Sequence, residues 1–514
     1  LKDAASTAIY GARAANGVIL ITTKRGKEGR TNVDISYTGS VQKVGNYFDM
    51  LDAKGFMEYS NILGKEQYLI SHNMAPYGPL EQSFKDYKPA YKIADIANAG
   101  KGTDWWDEVT RMGIVHDVNF SVSGGSSKTN FLISGNVFDQ KGLIENSDFT
   151  RFTARLNLDH KITNQVKVGV SATGSYVDNG NVQMGGENQT SGVLMSALQM
   201  SPLASVYDEN GDYYINPLQA TLPNPVSFRE IDDKTIQKRL LANGYVEYKP
   251  IKDLTLKAGG GLDTKSGQRG SYLPTTFLHG KAANGKATKE INNSMDMLFN
   301  LTANYNTTIN KKHNIGALIG YEYQNFAYDG FSSQVIDFFT DAFESNNLGA
   351  AEGTPTVKSY KNANTLASYF TRLSYNYNEK YIASVTLRRD GSSNFGAGNK
   401  WGFFPSAAFA WRIIQEDFMQ PLEFISNLKL RLSYGQTGNS GIGDKAFSYY
   451  GPTKFVYGFG DSTVKPANIT QIGNDKLKWE TTTEFNVGLD YGFFQNRISG
   501  SIEYYNKVIS DLLS

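Results

Sequence analysis

The sequence predicts an all-β membrane protein, a large antiparallel barrel with long loops at one end. Three observations carry that reading. Apolar and polar residues alternate with period two in about fifteen separate segments of the 514-residue chain. The connections between those segments alternate between long and short. No run approaches the roughly 18 apolar residues of a spanning helix, and mean hydropathy is −0.40, so apolarity is present only as alternation.

The clearest hairpin is central. Phe152, Ala154, Leu156 and Leu158 interleave with Thr153, Arg155, Asn157 and Asp159, which places apolar groups on one strand face and polar groups on the other. Val166, Val168, Val170, Ala172 and Tyr176 repeat the pattern against Lys167, Gly169, Ser171, Thr173 and Ser175, after a turn at Thr163 and Asn164. The same test along the chain predicts strands near 33–41, 115–124, 129–139, 150–161, 164–177, 237–249, 253–264, 294–308, 312–326, 364–378, 380–390, 402–413, 427–435, 481–492 and 496–507.

Long connections are expected at 42–114, 178–236, 265–293, 327–363 and 436–480, with shorter members of that set at 140–149 and 391–401. Tight turns fall between them at Gly125-Ser126-Ser127-Lys128, Pro250-Ile251-Lys252, Asn310-Lys311, Asn378-Glu379 and Gln495-Asn496, and the link 414–426 is longer than its set. Short periplasmic turns and long external loops mark an outer-membrane barrel, and parity makes the first strand run outward. Tyrosines at strand ends, Tyr321, Tyr323, Tyr375, Tyr377, Tyr381, Tyr504 and Tyr505, suit interfacial belts. A soluble β-sandwich is disfavoured, because such domains seldom exceed about 250 residues and no Pro/Gly/Ser linker divides this chain.

Composition narrows the function. Net charge is +1 and no basic cluster stands out, which argues against nucleic acid as a partner. The absence of cysteine excludes disulfides and thiolate metal sites. The five histidines, His72, His116, His160, His279 and His313, never pair at metal spacing. Asp208-Glu209-Asn210-Gly211-Asp212 mimics part of a calcium loop but has its glycine at the wrong place, so an Asn-Gly hairpin in an external loop is expected. Gly441-Ile442-Gly443-Asp444-Lys445-Ala446 fits a dinucleotide pattern formally, yet it lies in a polar loop. No cofactor is called for, and no Ser/His/Asp grouping suggests catalysis.

Thr103-Asp104-Trp105-Trp106-Asp107-Glu108 offers indole faces and carboxylates, the chemistry that stacks on a pyranose and binds its hydroxyls. Its bland alternative is a structural role at the start of the second strand. Arg155, Lys167, Arg372, Arg388, Lys429 and Arg431 are expected to face the lumen opposite Asp159, Glu484, Asp490 and Glu503, either guiding a polar solute or holding an internal segment. The candidate ligand contacts are Asp104, Trp105, Trp106, Arg372 and Arg388.

The opening run from Leu1-Lys2-Asp3-Ala4-Ala5-Ser6-Thr7-Ala8-Ile9-Tyr10-Gly11 through Asn16-Gly17-Val18-Ile19-Leu20-Ile21-Thr22-Thr23-Lys24 resembles the end of the plug domain in SusC/RagA-family TonB-dependent transporters. It reads as a short Ala-rich helix, a turn at Asn16-Gly17 and a buried strand at Val18 to Ile21. Tyr381 to Ser393, Phe395-Gly396, Phe404-Pro405-Ser406, Trp411-Arg412, Glu416, Asn427 to Arg431, Tyr434 to Asn439, Leu477-Lys478-Trp479-Glu480 and Asn496 to Gly500 resemble the barrel of the same family.

The resemblance implies a plug end at 1–29 and an incomplete barrel at 30–514, with about fifteen of roughly 22 strands and neither signal nor energy-coupling box in this chain. It also implies location in the bacterial outer membrane and import of a polar nutrient, an oligosaccharide first and a peptide second, without enzymatic chemistry. The implied partners are a SusD-like surface lipoprotein, the TonB–ExbB–ExbD complex of the inner membrane and outer-membrane lipid. A siderophore or cobalamin receptor, a surface adhesin, a structural barrel and a barrel hydrolase are the rival readings.

Overall fold

The computed structural model describes residues 9, 11, 17–21, 23–45, 48–74, 87–183, 192–452 and 455–512. The alternating segments form one antiparallel sheet of fifteen strands in which each strand lies beside the next in sequence. In chain order these are β1 (Gly29–Gln42), β2 (Gly113–Gly125), β3 (Thr129–Lys141), β4 (Phe149–Lys161), β5 (Val166–Gly180), β6 (Asp232–Ile251), β7 (Leu254–Leu273), β8 (Lys286–Ile309), β9 (His313–Ile336), β10 (Thr356–Tyr377), β11 (Tyr381–Ser392), β12 (Trp401–Trp411) and β13 (Ile425–Asn439). The loop that follows holds two small ribbons, β14 (Tyr449–Pro452) with β17 (Ala467–Gln471) and β15 (Tyr457–Phe459) with β16 (Ser462–Val464), before β18 (Glu480–Phe493) and β19 (Ile498–Ser510) complete the main sheet.

The polarity of the sheet is inverted relative to a soluble one. On β4, Phe152 is 48% exposed while its neighbours in the same strand, Asn157 and Asp159, are 3% and 8% exposed. Leu156, Leu158, Val170, Leu240, Val246, Phe299, Leu301, Leu373, Val385 and Leu387 are likewise exposed. A strand that shows its apolar side outward and hides its polar side is stable where the outside is hydrocarbon. The described residues contain no helix long and apolar enough to cross a membrane.

The tight turns have a local cause. Asn310 and Lys311 sit at φ 50° and 56°, and Asn378 and Glu379 at 50° and 55°. In each case the fourth turn residue donates back to the first, Lys312 to Ile309 at 3.2 Å and Lys380 to Tyr377 at 2.8 Å. Two successive left-handed residues define a type I′ turn, whose twist matches that of the flanking strands.

The strands outrun the sequence prediction at the loop end. β8 and β9 are 24 residues each, against about 9–11 needed to cross the hydrocarbon. Expected loops therefore shrink, 178–236 to 181–231, 265–293 to 274–285 and 327–363 to 337–355. Beyond the hydrocarbon both strand faces meet water or protein, so the ladder continues while the apolar alternation that marks it fades.

Two further expectations are corrected. Residues 17–21 form no strand, and Ile19, Leu20 and Ile21 are exposed to solvent rather than buried. Thr103 to Glu108 does not start β2. Trp105–Val109 is a helical turn capped by Asp104, and β2 begins only at Gly113. The Ala-rich helix proposed at the chain start and the turn residue Asn16 fall largely outside the described residues.

The apolar cores lie among the loops. One joins Trp105, Ile144, Val193, Met200, Leu222, Phe228 and Phe277. Another joins Leu366, Phe395, Phe404, Ile442 and Trp479, with the Trp479 indole donating to Lys400 O at 2.9 Å. The segment 441–446 thus supplies a core side chain, Ile442, from a loop. Asp208 to Asp212 is a small hairpin, with Tyr207 bridging Tyr213 and Gly211 at φ 85°.

Candidate functional site

Period two places Arg388 and Asp390 on the same face of β11, and the ladder sets them opposite Phe370 and Ser368 of β10, which in turn lies opposite Glu322 of β9. This is the inner face. Arg388 and Asp390 side chains are 1% and 0% exposed, and Arg388 Nε donates to Asp390 Oδ1 at 2.7 Å. Arg388 Nη2 approaches Glu322 Oε1 at 3.8 Å, and its guanidinium lies 5.2 Å from the Phe370 ring centre. The remaining arm, Nη1, donates 2.7 Å to the carbonyl oxygen of Ile9, so the barrel wall holds the segment at the chain start.

Around this node lie polar atoms that are buried and unpaired among the described residues: Asp390 Oδ2, Ser368 Oγ, Ser406 Oγ and Gln324 Oε1. Ser368 faces Asp390 across the ladder, and Ser406 faces Thr386. Arg372, two residues along β10 from Phe370, donates to Thr386 Oγ1 at 2.9 Å. The patch thus keeps hydrogen-bonding capacity in a buried setting, where each such bond is worth more than in water.

A second node stands on β4 to β6. Asp159 receives Arg25 Nη1 at 3.0 and 2.9 Å on its two oxygens and Tyr245 Oη at 2.5 Å, with Lys167 Nζ at 3.5 Å. Asn157 donates to Lys24 O at 3.2 Å. Gly169 is required here, because a Cβ at that position would collide with the Tyr245 ring and with Asp159. The chain on its way into β1 is therefore pinned to the inner wall as well. Further along, Arg431 pairs with Asp490 at 2.9 Å and with Glu503 at 2.6 Å.

The short-turn end has its own clamp. Glu416 accepts from Lys380 Nζ at 2.8 Å, Tyr381 Oη at 2.7 Å and Trp411 Nε1 at 2.9 Å. Those donors, led by Lys380, hold its carboxyl down to about 2. At the loop end, burial pushes the Asp341 carboxyl up, but hydrogen bonds from the Thr275 hydroxyl, Tyr272 and the Thr275 amide outweigh it and leave the group below the usual range.

The aromatic cluster named from the sequence is built differently from the inner nodes. Trp105 is buried in the loop core and its indole donates to Ser201 O at 2.9 Å. Asp104 Oδ1 accepts from the amides of Trp106 and Asp107 as a helix cap. These residues hold the first long loop, whereas Arg372 and Arg388 stand on the inner wall. Sequence reasoning missed Arg25, Glu322 and Tyr245 as members of the nodes. The i, i+2 spacing of Arg388 and Asp390 was the available signal for that pair.

A family model described as "TonB dependent receptor-like, beta-barrel" matches residues 98–514. TonB-dependent receptor P3 of Formosa agariphila is 36% identical over 520 residues, covering 100% of this chain and 49% of that protein. TonB-dependent receptor SusC of Bacteroides thetaiotaomicron is 33% identical over 561 residues, covering 100% of this chain and 50% of that protein. The chain therefore spans about half the length of these relatives. The RagAB peptide importer in its closed-closed state superposes with a TM-score of 0.80 at 26% identity, covering 99% of this chain and 58% of the other. An inverted-polarity meander, a matching family model and relatives of this identity agree: the chain belongs to the TonB-dependent receptors of the bacterial outer membrane, in their SusC/RagA branch.

Proposed function

We propose that the protein takes part in energy-coupled import of a polar nutrient too large for general porins, an oligosaccharide first and a peptide second. The observation that carries this is the polar inner wall of a lipid-facing sheet, which pins the segment around Ile9 through Arg388 and the segment around Arg25 through Asp159. Such contacts are hydrogen bonds and ion pairs that break and re-form without covalent chemistry, as a removable internal obstruction requires. Residues 1–29 act as the end of that obstruction and 30–514 as barrel wall.

In this reading a SusD-like surface lipoprotein closes over the long loops, and the TonB–ExbB–ExbD complex supplies the pull. Likeness to SusC and to the RagAB peptide importer supports the transport class. Arg372 and Arg388 meet the solute once the segment has moved, while Asp104, Trp105 and Trp106 keep the first loop in shape. Deleting the gene is expected to abolish growth on one class of glycan or peptide and to leave growth on small sugars intact. Unchanged growth on every polymer, with loss of host-cell attachment, would sink the proposal in favour of an adhesin.

A further inference from the structure

The outward face of β6 to β10 carries a furrow of about 500 Å³. Val246 pairs with Ala258, Ala258 with Leu301, Leu301 with Tyr321 and Tyr321 with Tyr369, so one ladder row runs along it. In the row beside it, Leu256 pairs with Ala303 and Ala303 with Ile319. The floor drops where Ala258 and Ala303 stand among larger, exposed side chains. Four inter-strand gaps make the furrow about 19 Å long, enough for an acyl chain laid obliquely within one leaflet, whose hydrocarbon is about 15 Å deep.

The same row ends in a cation. Tyr369 pairs with Arg389 of β11, and Arg389 with Phe403 of β12. Period two turns Arg389 away from the inner face that holds Arg388 and Asp390, and it is exposed. Its guanidinium lies 5.1 Å from the Trp401 ring centre, Trp401 lies 6.0 Å from the Tyr369 ring and Tyr369 lies 5.1 Å from Tyr321. Among the described residues its charge is met by that indole face and by no carboxylate.

Position along the strands gives cation and furrow different depths. Arg389 comes ten positions after Glu379 of its short turn, and Tyr369 nine before Asn378. Both stand at the outer limit of the roughly 9–11 residues that cross the hydrocarbon. Val246 comes only six positions before Lys252, in the turn between β6 and β7. From Arg389 to Val246 the row therefore descends from the headgroup level beside the long loops into the hydrocarbon. Tyr321, Tyr369 and Trp401 at its upper end suit that level. A guanidinium there, with no internal carboxylate, leaves its N–H fork for an anion of the membrane surface, and the fork fits a phosphate.

We propose that the furrow and Arg389 form one site for an anionic lipid of the leaflet beside the long loops. Its acyl chain lies across Ala258 and Ala303, and its phosphate sits on the Arg389 guanidinium. A zwitterionic lipid with the same chains is a poorer match, because its own cation competes for the phosphate.

The test uses the full-length protein purified from outer membranes, stripped of lipid and titrated with phosphatidylglycerol or phosphatidylcholine of equal chain length. Bound lipid is counted by native mass spectrometry. One phosphatidylglycerol is expected to bind at least fivefold more tightly than any phosphatidylcholine. That preference should vanish in Arg389→Gln and persist in Arg389→Lys. Ala258→Trp, which fills the furrow floor, should weaken phosphatidylglycerol binding fivefold or more. Both positions lie on the outward face, away from the inner nodes, and the heat-dependent gel shift of each variant checks that its barrel is intact. Equal affinity for the two lipids, a preference unchanged in Arg389→Gln, or complete displacement by equimolar inorganic phosphate overturns the site. Lipid affinity unchanged in Ala258→Trp while that variant loses self-association assigns the furrow to a second copy of the chain, and overturns it as well.

Discussion

The Nη1 of Arg388 on β11 donates to the carbonyl of Ile9 at 2.7 Å, joining positions 379 residues apart. The same guanidinium is bound to the fully buried Asp390, so its removal both frees the chain start and strands a carboxylate. Leaving one member of a buried pair costs about 3–5 kcal/mol. Arg388→Ala is expected to destabilise the sheet by that order, and Arg388→Lys to rescue only in part, since a single ammonium cannot reproduce the guanidinium fork. The chain has no cysteine, so Ile9→Cys gives a clean reporter. Its thiol should react faster with a maleimide in the Arg388→Ala background, and equal rates would show that Arg388 does not hold this segment.

Arg25 and Asp159 are expected to be coupled. Arg25 is 44% exposed and Asp159 9% by side chain, which argues for about 1 kcal/mol, the lower part of the range for contacting residues. A double-mutant cycle of Arg25→Met and Asp159→Asn, read by urea unfolding in detergent, measures it. Strict additivity would mean that the segment is held elsewhere.

Glu416 sets a pH dependence. Its folded carboxyl sits at about 2 against an ordinary 4.5, so its contribution is complete above the ordinary value and drains as pH falls from there towards 2. Glu416→Gln should lower the thermal midpoint at pH 6 to 8, and the difference from wild type should shrink steadily below pH 4.5. Trp411 fluorescence is a local readout, because its indole donates to this carboxylate. A difference independent of pH would contradict the assignment.

Register on β4 is testable side chain by side chain. Spin labels at Phe152 and Leu156 should be quenched by a lipid-soluble relaxant, and labels at Thr153 or Arg155 should not. The reverse pattern would require the strand to be shifted by one residue.

Among the described residues the outer edges of β1 and β19 are unpaired, since β1 pairs with β2 and β19 with β18. Unpaired backbone groups in hydrocarbon cost several kcal/mol each. Residues 1–514 produced alone are expected to lack the heat-dependent gel shift of closed barrels in detergent. A compact, detergent-resistant monomer that inserts into bilayers would show that the edges find each other.

How much was legible follows from where the physics is local. Phe152 to Asp159 revealed both strand and facing, because in hydrocarbon every other side chain must be apolar. Asn378-Glu379 revealed its turn for the same kind of reason, a pair of residues at the apex of a hairpin. The outer parts of β8 and β9 were invisible, as Lys286 to Asn293 lose the apolar rhythm once past the membrane. Trp105 carried two readings, a ligand contact and a structural role, because an indole looks the same in sequence whether it stacks on a ligand or fills a core; the structure places it in the loop core with its indole donating to Ser201. Arg25 and Asp159 meet across 134 residues, a distance that no local pattern reports.

The strictly sequential strand order also bears on how the sheet assembles. Every pairing in it joins chain neighbours, so most of the closing loops are short, and loop-closure entropy grows only slowly with length. The type I′ turns at Asn310-Lys311 and Asn378-Glu379 favour hairpins that can form before any long-range contact exists. The joins across 43–112, 181–231 and 440–479 are the exceptions, and there the two strands must find each other across a long loop. Assembly should therefore proceed in blocks, β2 to β5, β6 to β13 and β18 with β19, whose docking is slower than the zippering within each block. The polar bonds to Ile9 and Arg25 belong to the last step, because each needs a wall already built from several of these strands.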